Sequence, residues 1–293
     1  MDDSLLTIGL PIALAVIMFG LGLTLTVGDF LRIGRDPKPV VLSLGAQLLL
    51  LPAICFGLVL AFDLEPLLAV GMMLLAASPG GTTASLFAHL FRGDVALNIT
   101  LTAVNSVIAI VTLPLVVNLA LGYFEPGGPE SLGLQLGKTV QVFAIVLVPV
   151  LAGMAVRTSA PAFADRADRP VRIASAVVLV VVIVGALLAD ENVGDYLAQV
   201  GVVTTLFCAI SLTLGYLVPR AAGIDARQSL SSCFEVGLHN STLAITIALG
   251  VLGNETLAVP AAVYGVLMFP LAVVAGTVLR RRVAREPEPA QMA

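Results

Sequence analysis

Ser231-Ser-Cys-Phe-Glu-Val-Gly-Leu-His-Asn-Ser-Thr242 places Glu235, His239 and Asn240 inside an apolar run from Leu230 to Leu252. A run of that length crosses a bilayer, whose hydrocarbon core takes about 20 helical residues. An ionised carboxylate in hydrocarbon is costly, so it persists where a cation, a proton or a polar cavity compensates it. The stretch therefore reads as an ion or proton site in a transporter. The plainer alternative is a protonated Glu235 hydrogen-bonded to a neighbouring helix.

Working outward, 58% of the 293 residues are hydrophobic and 12% are charged, where a soluble domain carries about 25% charged residues. The expected class is an all-α polytopic membrane protein in contact with lipid. The net charge of −4 gives no reason to expect a nucleic-acid partner. Cys55, Cys208 and Cys233 lie in apolar segments without metal-ligand spacing and read as buried thiols. The opening Met1-Asp-Asp-Ser4 lacks the positive flank of a signal peptide, so the first apolar run is expected to stay in the mature chain.

Apolar runs bounded by charge, Pro or Gly predict nine transmembrane helices, near 4–29, 39–62, 66–91, 94–121, 133–157, 171–189, 196–219, 226–251 and 256–280. With the N-terminus outside, the cytoplasmic connections hold every Lys and Arg except Lys138. Asp63, Glu65, Glu125, Glu130, Asp190, Glu191 and Asp195 fall on the other side. This bias predicts a multi-pass protein of the inner or plasma membrane, with a cytoplasmic C-terminus and a cytoplasmic tail over 281–293. A monomer is expected.

Two spans are expected to break at membrane depth. In the third, Pro79-Gly80-Gly81 removes a donor and adds backbone freedom, so the helix should stop near Ser78 and restart near Thr82, with Thr82 and Thr83 as N-caps. In the eighth, Gly237 precedes Asn240-Ser241-Thr242, which can cap a restart in the same way. Broken helices in a bilayer are tolerated where they face protein or a wet cavity. Their corresponding positions in two antiparallel halves fit inverted repeats around a midplane site. Each half-helix N-terminus carries roughly half a positive charge, which suits an anion. The half-helix C-termini and Glu235 offer oxygens, which suit a hard cation such as sodium.

Pro79-Gly-Gly-Thr82, Arg92-Gly-Asp-Val-Ala-Leu97 with Thr102, and Phe234-Glu-Val-Gly-Leu-His-Asn-Ser241 together resemble the bile acid:sodium symporter family, its bacterial members most of all. The resemblance covers essentially the whole chain. It implies two crossed discontinuous helices in a core domain (39–121 and 196–280), a panel domain (4–29 and 133–189), and sodium-coupled symport of organic anions by alternating access. It also implies a first sodium site on Ala84, Ser85, Asn98, Thr102 and Glu235. A second falls on Gln47, Glu235, Val236, Leu238 and His239, the Val and Leu through backbone carbonyls. The substrate, a small or amphipathic carboxylate such as a keto acid, would meet Thr82, Thr83, Asn240 and Ser241.

Ala84 brings no side-chain oxygen, and His239 offers nitrogen where a hard cation prefers oxygen. Four arrangements stay open at His239: a second site of backbone carbonyls, one sodium in place of two, proton coupling through Glu235 and His239, or a neutral imidazole bonded to Glu235 or Gln47. Gln47, Asn105 and Ser106 can equally serve as interhelical glue. An intramembrane hydrolase would need His239 as base and Ser85 or Ser232 as nucleophile, and no GxSxG elbow accompanies them. A passive channel is the remaining alternative.

Overall fold

A computed structural model describes residues 37–126, 136–167 and 193–283, with scattered positions between 15 and 34 and at 170 and 173. The expected spans at 4–29 and 171–189 and the tail beyond 283 lie largely or wholly outside these residues. Within them the fold is helical: α1 Pro37–Ala61, α2 Pro66–Ala77, α3 Thr82–Leu90, α4 Val95–Phe124, α5 Leu136–Ser159, α6 Val193–Ala221, α7 Ala226–Gly237, α8 Ser241–Gly250 and α9 Thr256–Val283. Among the described residues, Pro37–Ala61, Val95–Phe124, Val200–Ala221 and Thr256–Val283 are long and apolar enough to cross a membrane.

The expected span 39–62 is not uniform. Ala46–Leu50 forms a π turn inside α1, directly before Pro52. Proline cannot donate to the carbonyl four residues back and its ring crowds that group, so a wider turn just upstream relieves the conflict. The span 66–91 is two helices, α2 and α3. Ser78 is extended at φ −72, ψ 138, the conformation that a following proline favours. The restart begins at Thr82 as expected, but the cap position belongs to Gly81 and carries no side-chain cap bond. Thr82 and Thr83 are therefore helical residues, and their N-cap role is corrected.

The span 226–251 is likewise two helices. Its break lies at Leu238–Asn240, just beyond Gly237, and Asn240 Oδ1 accepts from the Leu243 N–H at 3.0 Å, as a cap should. Asp94 and Asp225 cap α4 and α7 in the same manner, accepting from Leu97 N at 3.0 Å and Gln228 N at 2.9 Å.

The order helix, broken pair, helix thus occurs twice, as α1, α2/α3, α4 and as α6, α7/α8, α9. α2 packs on α4 and α1, and α7 packs on α6, α4 and α3, so each broken pair is enclosed by continuous helices. Phe87 of α3 and Phe91, just beyond its C-terminus, pack on Phe234 of α7, each pair of ring centres 5.7 Å apart. Gly93 turns the chain from α3 into α4 against α7, where a Cβ would meet Ser231 Oγ at 2.6 Å. Gly22 and Gly153 touch backbone to backbone, joining the first apolar run to α5. The three cysteines are free and buried.

Candidate ion and substrate site at the helix crossing

The two breaks hydrogen-bond to each other. Asn240 N donates to Pro79 O at 2.8 Å and Gly81 N donates to Leu238 O at 2.9 Å, so Gly80 and His239 sit opposite as one antiparallel pair. Each interruption supplies the partners that the other lacks, which answers the cost of unpaired backbone at membrane depth. It also brings the N-termini of α3 and α8 to the same place.

Glu235, in the last turn of α7, is 1% exposed and is the one buried acid among the described residues. Its Oε2 accepts from Thr102 Oγ1 at 2.5 Å, while Oε1 has no partner. The carboxylate lies over Gly80, where a Cβ would come within 2.2 Å of Oε1. Thr102 Oγ1 also lies 3.1 Å from Asn98 O. Asn98 Nδ2 donates to Ser231 O at 2.9 Å, which fixes the amide so that Oδ1 receives the Ser85 hydroxyl at 2.8 Å. Ser85, Asn98, Thr102 and Glu235 thereby form one linked group, beside a fully buried Ala84 without a side-chain oxygen.

The second residue set is arranged differently. His239 Nδ1 lies 3.0 Å from Ser78 O, and Gln47 Nε2 lies 3.4 Å from both. A carbonyl only accepts, so Nδ1 carries the proton and the Gln47 amino group also points at Ser78 O. Gln47 Oε1 and His239 Nε2 are left without partners. The imidazole stacks on Phe207 with centres 5.4 Å apart and meets Tyr264 edge-on at 5.5 Å. Of the expected second set, Gln47 and His239 come together, and the Leu238 carbonyl already receives Gly81 N–H. Val236 is buried in α7, and no hydrogen bond joins His239 to Glu235.

Among the expected substrate residues, Thr83 and Asn240 are half-buried, and Ser241 is buried with its hydroxyl unpartnered. Thr82 opens α3. Sequence reasoning missed Tyr264, whose hydroxyl donates to Gly237 O at 2.9 Å and so holds the end of α7. A lone polar-tipped ring in the apolar run of α9 was the available signal. It also gave Asn105 no role, although that side chain is buried one turn beyond Thr102.

The donors around Glu235 are hydroxyl, amide and carboxylate oxygens. Among the described residues no group of three or more His, Cys, Asp or Glu side chains converges as a metal site. Such an oxygen set suits an alkali cation better than a transition metal.

A polytopic helical protein with two interrupted helices crossing at a buried carboxylate has the build of a membrane carrier. The model of the Sodium Bile acid symporter family matches residues 11–199, and the chain belongs to that family. It is 30% identical over 261 residues to the "Uncharacterized sodium-dependent transporter YocS" of Bacillus subtilis, covering 88% of this chain and 78% of that one. To the "Probable sodium/metabolite cotransporter BASS1, chloroplastic" of Arabidopsis thaliana it is also 30% identical, over 94% of this chain and 68% of the relative. The human "Ileal sodium/bile acid cotransporter" is 27% identical over 81% of this chain and 68% of its own. The protein is accordingly a membrane transporter and not an enzyme.

Proposed function

We propose that the protein is a secondary active transporter that moves a small or amphipathic organic anion together with sodium by alternating access. One observation carries this reading: Glu235 is buried with Oε1 unpartnered, beside oxygens of Ser85, Asn98 and Thr102, where two half-helices pair through their backbones. Sodium held there neutralises the carboxylate, and without it the buried charge is expensive. The N-termini of α3 and α8, with Asn240 and Ser241, supply donors and partial positive charge to the carried carboxylate next to the cation. Binding of either ion then favours binding of the other.

The helices α1–α4 and α6–α9 act as the core, and the runs 4–29 and 133–189 as the panel against which it moves. The glycine contact between Gly22 and Gly153 supports that second grouping. Proton coupling through a Glu235–His239 pair gains no support, since the imidazole is tied to Ser78 O and aromatic rings enclose it.

The test is reconstitution. Purified protein is screened against organic acids by thermal shift with and without sodium, and the acid that stabilises it is then used for uptake into proteoliposomes. An inward sodium gradient should drive accumulation, and Glu235→Gln should abolish it. Uptake that ignores sodium, or that survives Glu235→Gln, would sink the reading.

A further inference from the structure

The helix α4 carries a row of polar side chains through an apolar span, and nearly all of them are locally paired. Thr100 donates to Ala96 O at 2.9 Å, Ser106 to Thr102 O at 2.7 Å and Thr112 to Ile108 O at 3.3 Å. Asn98 is paired at both ends of its amide, and Thr102 bonds to Glu235. Asn105 is the buried exception. It is 1% exposed, and neither Oδ1 nor Nδ2 has a hydrogen-bond partner. Buried amides are rarely left so, and an Asn serving as glue between helices would be bonded across the interface.

Its position shows what the amide is held for. Asn105 follows Thr102 by three residues, so the two share one face of α4, and Thr102 touches the Glu235 carboxylate at 2.5 Å. The Asn105 side chain is a polar neighbour of that carboxylate and acts on it, but from a position that leaves its own amide atoms and Glu235 Oε1 short of a well-formed hydrogen bond. Two buried, unpaired oxygen-bearing groups thus face the same place.

We infer that Asn105 is a further ligand of the coupling sodium, its Oδ1 binding the ion beside Glu235 Oε1. This rests on the sodium-coupled reading above and adds a residue to that site. An uncharged amide suits the position. It gives the cation another oxygen and leaves the single negative charge of Glu235 to balance a single positive one. It also stands in for the oxygen that Ala84 does not bring.

The experiment follows the unfolding midpoint of the purified full-length protein as sodium chloride replaces choline chloride at constant ionic strength. If the wild-type midpoint does not respond to sodium, the sodium reading itself fails. If it responds, Asn105→Leu, which keeps the branched shape and removes the oxygen, should raise half-saturating sodium about tenfold or more, the loss expected when one good ligand is removed. Asn105→Ala should do the same, and Asn105→Asp, which retains an oxygen, should remain sodium-responsive. Half-saturation within about twofold of wild type in the Leu or Ala variant would overturn the inference and leave Asn105 facing a water. If neither folds, Asn105→Asp decides, and loss of its sodium response counts against the role.

Discussion

Glu235 works as an ion site because of what lies under it. At Gly80 a Cβ would fall 2.2 to 2.6 Å from the carboxylate atoms, so any other residue must displace the acid. Gly80→Ala should cost about 1–3 kcal/mol as overpacking and abolish sodium-driven uptake, read as a lower midpoint that sodium no longer raises. Tyr264→Phe is a different lesion. It takes the hydroxyl from Gly237 O and leaves a buried carbonyl short of its best donor, at about 1–3 kcal/mol. The midpoint should fall while half-saturating sodium stays near wild type. A large loss of sodium affinity in Tyr264→Phe would show that the Glu235 carboxylate, in the same last turn of α7, also depends on that bond for its place. Glu235 itself was legible, since a charge in an apolar run announces itself. Gly80, Tyr264 and Asn105 were not, because their meaning lies in neighbours distant along the chain.

The first helix break was written in the sequence, because Pro79 and the extended residue it imposes at Ser78 act locally. The second was only half legible. Gly237 lets α7 pack on Leu212, whose side chain would lie 2.4 Å from an added Cβ. The chain leaves the helix at Leu238–Asn240 because there it meets Pro79 and Gly81. The π turn in α1 was not foreseen, and it holds Gln47, which faces Ser78 and His239. Capping offers a comparison of elements. Asn240→Ala and Asp225→Ala each delete an N-cap bond, at a cost of about 1 kcal/mol, and should lower the unfolding midpoint to a similar degree. Only Asn240→Ala, at the crossing, should also weaken stabilisation by the carried anion. Equal anion response in both variants would remove Asn240 from the substrate site.

At the scale of the whole molecule, basic connections among the described residues gather at one end of the bundle. Lys38 Nζ donates to Ala222 O at 2.7 Å, Asp94 N to Arg227 O at 3.3 Å, and Gly276 of α9 packs against Phe91. Arg92, Arg220, Arg227 and the Arg280–Arg282 cluster therefore share a side, as the charge pattern of the sequence expects. If that side is cytoplasmic, an impermeant thiol reagent added to sealed cells should label Glu125→Cys and spare Arg282→Cys. The three native cysteines are buried and should stay silent. The reverse pattern would invert the topology.

Alone, the sequence settled that the chain lives in a bilayer, where its described helices run to within a few residues, and which acid lies within an apolar run. Those are matters of local hydropathy and of backbone chemistry at proline and glycine, which act through adjacent residues. The tertiary structure decided that the two interruptions pair with each other, that Gly80 lies beneath Glu235, and that His239 turns to Ser78. Such facts depend on which segments meet after folding, and a periodic apolar pattern specifies that a helix is buried without specifying against what.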